Sequence, residues 1–317
     1  MHGEPRSMRG PEARSAVVHG TGGGVYRVRF DDGTYGEAAL RGRLKRERRT
    51  GDRVVIGDRV TVGRSGDSWV VEKVDDRVSE IVRRGPGGRA PKVVAANLDR
   101  VLVVVAAKDP DPSLSLVDRL LVVVEASGLH PVLVVNKIDL DRSRSVVEPM
   151  TQLYREVGYR VVPVSAASGE GMDDFAADVC VGSSALVGPS GAGKSSLLNA
   201  MDPQLDLRIG GLSEKTGRGR HTTVSSRLIQ LTCGGLVADT PGFGDVGLWG
   251  IAAEDVDQCF PEIGGLAHLC RFRGCSHLTE PDCEVRDALV RGEVAKSRFD
   301  SYAALRGEAD GPSFEGG

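Results

Sequence analysis

Short apolar runs separated by turn residues fill the first quarter of the chain. Between residues 15 and 84 five such runs have β-type character, and they read SAVV, VYRVRF, TYGEAAL, RVTV and WVVEKV. The turn dipeptides Asp32-Gly33, Gly51-Asp52 and Gly66-Asp67 lie between runs, as is typical of hairpins. Five short strands predict an antiparallel OB-type β-barrel over residues 15–84, an architecture that binds oligonucleotides through strand faces and loops.

The pattern changes after the Gly- and Pro-rich stretch from Arg83 to Lys92, which indicates a linker. Apolar runs then alternate with helical segments: RVLVVVAA, SLVDRLLVVVEASG, PVLVVNKID, residues 145–157, YRVVPVSA and SALV. This alternation predicts an α/β domain over residues 90–248, with helices on both faces of a parallel sheet. The polar, Gly-containing ends at residues 1–14 and 305–317 are predicted to be disordered tails.

A glycine-rich loop lies between the run SALV and the apolar helix SSLLNAM. It reads Gly188-x4-Gly193-Lys194-Ser195, and a phosphate-binding loop requires this place between a strand and a helix. Lys194 would reach the β and γ phosphates, and Ser195 would ligate Mg²⁺. A glycine turn of purely structural purpose is the alternative. The predicted nucleotide contacts are Gly188, Pro189, Ser190, Gly191, Ala192, Gly193, Lys194, Ser195 and Ser196.

The tetrapeptide Asn136-Lys137-x-Asp139 indicates that the base is guanine. The Asp139 carboxylate can accept hydrogen bonds from guanine N1–H and the exocyclic amine, whereas adenine presents the wrong edge. Ser165-Ala166, after the run VVPV, is placed to offer the base a main-chain N–H. Taken alone, NKID is also compatible with a helix cap or a turn. Beside a phosphate loop, it predicts a site for GTP and GDP.

The stretch LVADTPGF completes the nucleotide motifs, but the motifs come in an unusual order. Asp239 can hold Mg²⁺ through water, and the Gly242 amide can sense the γ-phosphate. The base-reading motif precedes the phosphate loop, the reverse of the usual order. A sheet keeps its spatial arrangement if the chain is cut at an exposed loop and its native ends are joined. The domain is therefore predicted to be circularly permuted, and the region after Gly242 to be coupled to the nucleotide sensor.

Four potential metal ligands follow within 14 residues, at Cys270, Cys275, His277 and Cys283. Three thiolates and an imidazole predict one tetrahedral Zn²⁺ per chain, and the site would be structural because no coordination position stays open. Buried free cysteines or a redox disulfide are the alternatives. His268 and Cys259 are nearby spare ligands. This small zinc module with helices is predicted over residues 249–304, whereas Cys180 and Cys233 are expected to be ordinary core thiols.

Composition and charge indicate which classes of partner the protein binds. The 317 residues are 40% hydrophobic and 27% charged, as in a soluble globular protein. Residues 1–90 hold 19 Lys and Arg against 13 Asp and Glu, and the run Arg41 to Arg49 concentrates six of these cations. A basic N-terminal module favours RNA binding, with a solvated loop as the alternative. No apolar run is long enough for a membrane span and no signal peptide is seen, so a cytoplasmic location is expected.

A basic OB-like barrel, a permuted GTPase core and a Cys3His module together resemble the ribosome small-subunit-dependent GTPase A (RsgA) family over roughly residues 15–300. The resemblance implies a GTPase stimulated by the small ribosomal subunit that acts late in its assembly by binding ribosomal RNA. It identifies residues 216–224, TGRGRHTTV, as a switch in which Thr223, or alternatively Thr222, meets Mg²⁺. No DNA partner is expected, and nothing demands more than a monomer.

One position departs from ordinary switch GTPases. A Ras-like enzyme orients the attacking water with Gln after the Asp-x-x-Gly motif, but here Phe243 follows Gly242. Basal hydrolysis is therefore expected to be slow. By resemblance His221 is the candidate replacement, in a catalytic set with Thr223 and Lys194; an RNA contact or a loop cap is the alternative for His221. An RNA-binding scaffold with a regulatory, scarcely hydrolytic guanine-nucleotide site is the alternative function.

Overall fold

A computed structural model describes residues 13–42, 54–83, 92–207, 226–239 and 251–309. Several predicted features lie outside these residues. They are most of the basic run from Arg41 to Arg49, the switch stretch 216–224 with His221, Thr222 and Thr223, and Gly242 with Phe243. Most of each predicted tail and the linker residues 84–91 also lie outside them.

The predicted barrel is confirmed. Its strands are β1 (Arg14–Gly22), β2 (Val25–Phe30), β3 (Tyr35–Leu40), β4 (Arg59–Ser65) and β5 (Ser68–Val74). They pair in the order β1-β2-β3-β5-β4, and β4 closes the barrel on β1. The β3–β5 pair is parallel whereas the other pairs are antiparallel, a departure that alternation along one chain could not predict. Alternate residues such as Val18, Val28 and Val71 fill the barrel core.

A two-stranded sheet connects the barrel to the next domain. β6 (Glu80–Arg83) pairs antiparallel with β7 (Lys92–Ala96). The two strands therefore flank the sequence-predicted linker, and they share only its end residues, Arg83 and Lys92.

The predicted GTPase domain is an α/β unit, in agreement with the alternation of apolar runs and helical segments. Its strands are β8 (Arg100–Ala106), β9 (Pro131–Asn136), β10 (Arg160–Pro163), β11 (Ser183–Val187), β12 (Ser226–Gln230) and β13 (Leu236–Asp239). Its helices are α1 (Leu114–Glu125), α2 (Val147–Glu156), α3 (Met172–Val179) and α4 (Lys194–Met201). The spatial order is β10-β9-β8-β11-β13-β12, with β12 antiparallel to β13 and the other pairs parallel. The base-reading strand β9 thus lies two places from the phosphate-loop strand β11, which confirms the permuted arrangement.

Strand β8 shows how the pattern of apolar residues builds two cores. Val101, Val103 and Val105 pack with residues of α1 and α2 on one face of the sheet. Leu102 and Val104 pack with residues of α3 and α4 on the other face. Because successive strand residues point to opposite faces, a continuous apolar strand is buried on both sides, as a parallel sheet with helices on both faces requires.

Barrel and GTPase domain share one continuous sheet. β1 of the barrel pairs antiparallel with β12, with Gly20 opposite Arg227 and Thr21 opposite Ser226. The result is an eleven-stranded sheet that runs from β10 to the barrel. This junction is made of main-chain pairing, which the side-chain pattern does not encode.

The C-terminal module contains α5 (Pro261–Ala267), α6 (Glu284–Arg291) and α7 (Lys296–Ala309). Phe260, Val285 and Tyr302 are among its buried residues, and Val122 of α1 belongs to the same cluster. Arg298 of α7 is fully buried and pairs with Asp118 of α1 at 2.7 Å. Helix α7 continues to Ala309, past the predicted end of the module at residue 304.

The expectation of ordinary core thiols at Cys180 and Cys233 is wrong. The two residues form a disulfide with a Cα–Cα distance of 5.4 Å. Cys180 caps the C-terminus of α3, and Cys233 lies exposed in the turn between β12 and β13. The turn lies against the helix end so closely that a Cβ at Gly235 would come within 2.0 Å of the Val179 carbonyl oxygen. Among the described residues no helix has the length and apolar character needed to cross a bilayer.

Candidate nucleotide and metal sites

The phosphate loop is built from backbone that only glycine accommodates. Gly188, Gly191 and Gly193 all have positive φ, at 146°, 82° and 92°. A Cβ at Gly188 would come within 2.0 Å of the Val104 carbonyl oxygen, and one at Gly193 within 2.2 Å of the Asn136 side-chain nitrogen. The loop therefore wraps closely on β8 and on the base-reading loop, and it opens α4 with its N–H groups available for an anion. This shape fits a nucleotide phosphate.

Lys194 is the first residue of α4 and folds back over the loop. Its Nζ donates to the carbonyl oxygens of Gly188 at 2.7 Å and Pro189 at 3.0 Å. Burial lowers the pKa of Lys194, because a partly buried ammonium has lost water without gaining an anion. A phosphate group would supply that anion, so the residue fits its predicted role.

The base-reading loop and the phosphate loop are joined by Asn136. Its side-chain nitrogen donates to the Ala192 carbonyl oxygen at 2.9 Å, and its side-chain oxygen accepts from the Ala166 N–H at 3.3 Å. Asn136 is 1% exposed. The buried Asn136 side chain thus connects three loops that follow three different strands. The sequence-predicted base and phosphate motifs therefore lie together at the carboxyl ends of these strands.

Asp139 lies in the short 3₁₀ helix Ile138–Leu140, directly after this asparagine loop. Its Oδ1 accepts a hydrogen bond from the Ser165 hydroxyl at 2.6 Å. The Ser165 hydroxyl also accepts from the Ser168 N–H at 3.0 Å, so its proton points at the carboxylate. Lys137 has a positive φ of 61°, and its Nζ donates to the Asp109 carbonyl oxygen. The carboxylate is held at the sheet edge, as recognition of a guanine N–H pair requires.

Two described residues of the predicted Mg²⁺ site, Ser195 and Asp239, offer oxygen atoms that could bind the ion. Ser195 is buried on α4, and its hydroxyl makes no hydrogen bond to another described residue. Asp239 ends β13; its Oδ2 accepts from Arg227 Nε at 3.1 Å, and its Oδ1 has no partner among the described residues. Burial raises the pKa of Asp239, and Arg227 opposes the rise. A hydroxyl and a partly unpaired carboxylate are oxygen ligands suited to Mg²⁺.

The four predicted zinc ligands converge. The ligand atoms of Cys270, Cys275, His277 and Cys283 all lie within 4.8 Å of one another. His277 Nδ1 is 3.5 Å from the Cys270 sulfur and 3.4 Å from the Cys283 sulfur, and these two sulfurs are 3.8 Å apart. Three sulfurs and one imidazole nitrogen this close together form a donor set typical of structural zinc.

The second ring nitrogen of His277 lies near Asp257, a residue that the sequence analysis did not single out. His277 Nε2 is buried without a hydrogen-bond partner and lies 3.6 Å from Asp257 Oδ2. Asp257 precedes the ligands by more than ten residues, and no local spacing signals it. Metal-ligating histidines commonly present their other ring nitrogen to a carboxylate, which fixes the ring orientation, so this geometry supports Nδ1 as the ligand atom.

Two further polar contacts at the nucleotide site lacked a sequence signal. Arg227 reaches Asp239 across the β12–β13 pair, where the two residues lie directly opposite each other. Asp109 meets Lys137 only because the loops after β8 and β9 lie side by side. Both contacts depend on strand order rather than on a motif.

Comparisons with known proteins agree with this geometry. The RsgA GTPase family model matches residues 74–249. The small ribosomal subunit biogenesis GTPase RsgA of Gemmatimonas aurantiaca is 46% identical over 301 residues, which cover 94% of this chain and 97% of that protein. The protein of the same name from Haemophilus influenzae strain 86-028NP is 40% identical over 267 residues, 81% of this chain and 76% of that protein.

Two solved structures are similar over almost the whole chain. YjeQ from Thermotoga maritima has a TM-score of 0.77 at 31% identity, covering 95% of this chain and 100% of that one. YloQ, described as a circularly permuted GTPase, has a TM-score of 0.74 at 28% identity, covering 96% of this chain and 98% of that one. Since the family model spans more than half of the sequence and the relatives share well over 30% identity, the chain belongs to the RsgA GTPase family.

Proposed function

We propose that this protein is a GTP hydrolase that matures the small ribosomal subunit in the cytoplasm, binding ribosomal RNA and releasing on hydrolysis. One observation carries the nucleotide assignment: Asn136 joins the base-reading loop to the phosphate loop, with Asp139 beside it. The ribosomal part is supported by the relatives, which are named small ribosomal subunit biogenesis GTPases.

Each residue of the site has a proposed task. Asp139 reads the guanine edge, Lys194 exchanges its two carbonyl partners for phosphate oxygens, and Asn136 holds the two loops at a fixed distance. Ser195 and Asp239 are placed to hold Mg²⁺, with Thr223 as a further ligand supplied by the switch. Bound Mg²⁺ would neutralise charge on the phosphate oxygens during transfer to water. The zinc ligands hold the C-terminal module together.

His221 is proposed to act on the attacking water once the switch is ordered. Phe243 cannot hydrogen-bond water, so the free protein lacks a water-orienting group at that position. His221→Ala should retain GTP and subunit binding and lose most of the stimulated single-turnover rate. A variant stimulated as strongly as the parent would show that a ribosomal element or a bound cation has this role.

The barrel supplies a cationic surface for RNA. Arg27 and Arg29 are exposed on β2, and the Arg27 guanidinium stacks over Tyr35 at 4.6 Å from the ring centroid. Arg64 stacks over Trp69 at 4.1 Å. Arginine held over an aromatic ring keeps N–H groups free for other partners, and such groups bind phosphates in a salt-dependent way. The basic run from Arg41 to Arg49 adds further cations.

Co-sedimentation with purified ribosomal subunits tests the partner. The protein, expected to be a monomer, should sediment with small subunits in the presence of a non-hydrolysable GTP analogue and much less with GDP. Large subunits at equal RNA concentration are the control, since they present RNA without the proposed site. Equal sedimentation with both subunits, independent of nucleotide, would instead support the RNA-binding scaffold with a regulatory nucleotide site.

A further inference from the structure

A single row of residues runs from the barrel surface to the carboxylate of the proposed magnesium site. Arg27 on β2 lies opposite Gly20 on β1, Gly20 lies opposite Arg227 on β12, and Arg227 lies opposite Asp239 on β13. Neighbouring strands are about 4.8 Å apart. The barrel backbone at Gly20 is therefore only about 10 Å, two strand spacings, from the backbone of Asp239.

Directly opposite residues of an antiparallel pair place their side chains on the same face of the sheet. On that face Arg227 Nε donates to Asp239 Oδ2 at 3.1 Å, with side chains 62% and 15% exposed. Gly20 contributes no side chain to the row. A Cβ there would meet nothing closer than the Arg27 Cβ at 3.4 Å, so the glycine leaves an open place beside Arg227.

Arg227 and the proposed magnesium ion would compete for the carboxylate of Asp239. The proposed function has Asp239 hold Mg²⁺ through water, and one of its two carboxylate oxygens, Oδ2, is already paired with the Arg227 guanidinium. Two cations that share one carboxylate repel each other. Arg227 is largely exposed and can swing into solvent, whereas its backbone is held between β1 and β13.

We infer that Arg227 is a positioning residue that serves as the counter-cation of Asp239 until magnesium and nucleotide replace it, with its backbone anchored by the barrel strand β1. The inference rests on the proposed function of the nucleotide site. Arg227 competes with magnesium, so it raises the magnesium concentration that retention of nucleotide requires. The barrel is thereby coupled to nucleotide release through the row that includes Gly20.

The test is release of a fluorescent GDP from the full chain across a magnesium titration, which reports metal retention without hydrolysis. Arg227→Ala should lower the magnesium midpoint by about threefold to tenfold, since it removes a unit charge a few ångströms from the metal. Arg227→Lys keeps the positive charge, and because the contact with Asp239 is a single hydrogen bond rather than a bidentate pair, its midpoint should stay within about twofold of the parent. An unchanged or raised midpoint for Arg227→Ala would overturn the inference.

Arg160→Ala is the matched control. Arg160 is another exposed GTPase-domain arginine, paired with Asp178 at 2.7 Å at the start of β10, so its loss changes the net charge equally while leaving Asp239 untouched. Its midpoint should equal that of the parent, and an equal shift in both variants would attribute the effect to net charge and overturn the inference.

A second variant tests the anchoring from the barrel side. Gly20→Glu places a carboxylate opposite Arg227, and it should draw the guanidinium from Asp239 and lower the midpoint. In an Arg227→Ala background the same glutamate should have little further effect; an undiminished effect there would refute the link through Arg227. A parent protein that binds no guanine nucleotide would overturn the proposed function and this inference together.

Discussion

Replacing Arg298 by alanine should loosen the C-terminal module from the GTPase domain. The guanidinium is completely buried. Its Nη1 donates to Asp118 at 2.7 Å, and its Nε and Nη2 donate to the two oxygens of Glu262 at 2.7 and 3.1 Å. It also lies 4.5 Å from the ring centroid of Phe260. Arg298 thus neutralises a carboxylate of α1 and one of α5 at the same time.

The size of the effect follows from what the substitution leaves behind. The Asp118 side chain is 0% exposed and that of Glu262 is 9% exposed. Alanine at position 298 would therefore leave two buried carboxylates without a neighbouring cation. Removing one partner of a buried ion pair costs about 3–5 kcal/mol. Tyr154 continues to donate to Asp118 at 2.7 Å, which keeps the expected loss within that range despite the second carboxylate.

Arg291→Ala is the control for burial. Arg291 in the same module also pairs with two glutamates, Glu284 and Glu293, at 2.6 and 2.8 Å. Its side chain is 44% exposed, and solvent screens such pairs. This variant should be indistinguishable from the parent.

The measurement is amide hydrogen exchange, because a multidomain chain does not unfold as one two-state unit. Arg298→Ala should speed exchange in α7 and α5 and leave α4 of the phosphate loop unchanged. Equal protection of α7 in the Arg298→Ala and Arg291→Ala variants would refute the reasoning that the buried pairs hold the module in place.

Three further predictions concern base choice, metal and pH. The parent should bind GTP far more tightly than ATP, and Asp139→Asn should shift preference towards xanthosine nucleotides; equal ATP and GTP affinity in fluorescence titration would contradict this. Elemental analysis should find one zinc per chain, and Cys275→Ser should loosen the C-terminal module more than the GTPase core; a stoichiometric disulfide without zinc would count against it. Burial, then the charges of Arg29 and Arg27, lowers the pKa of His19 to about 4. The unfolded chain therefore gains a proton as pH falls from about 6.5 to about 4, and the barrel should lose at most about 3 kcal/mol across that window. Urea unfolding of the barrel should show this loss in the parent and a smaller one in His19→Gln.

Motifs whose parts are close in sequence could be predicted from the sequence. The phosphate loop combines glycines, a lysine and a serine within eight residues, and its chemistry depends on that local backbone. The zinc ligands fall within 14 residues, and the structure brings their ligand atoms together. Strands such as β8 were predictable because both faces are buried, which leaves an unbroken apolar run.

Contacts that depend on the packing of distant segments could not be predicted. Arg298 and Asp118 are 180 positions apart, and nothing in the sequence around either residue indicates a buried ion pair. Cys180 and Cys233 are 53 positions apart, and only the approach of the β12–β13 turn to the end of α3 brings them together. The pairing of β1 with β12 is made by backbone hydrogen bonds, so the side-chain pattern does not predict it.

The most direct test of the account is GTP turnover by the purified protein with and without small ribosomal subunits. Alone, the protein should hydrolyse GTP at about 10⁻⁴ to 10⁻² per second, as unassisted switch GTPases do. Small subunits should raise this rate by at least about tenfold, large subunits at equal RNA concentration should not, and Lys194→Ala should abolish both rates. A rate that small subunits leave unchanged would contradict the account and identify the nucleotide site as regulatory.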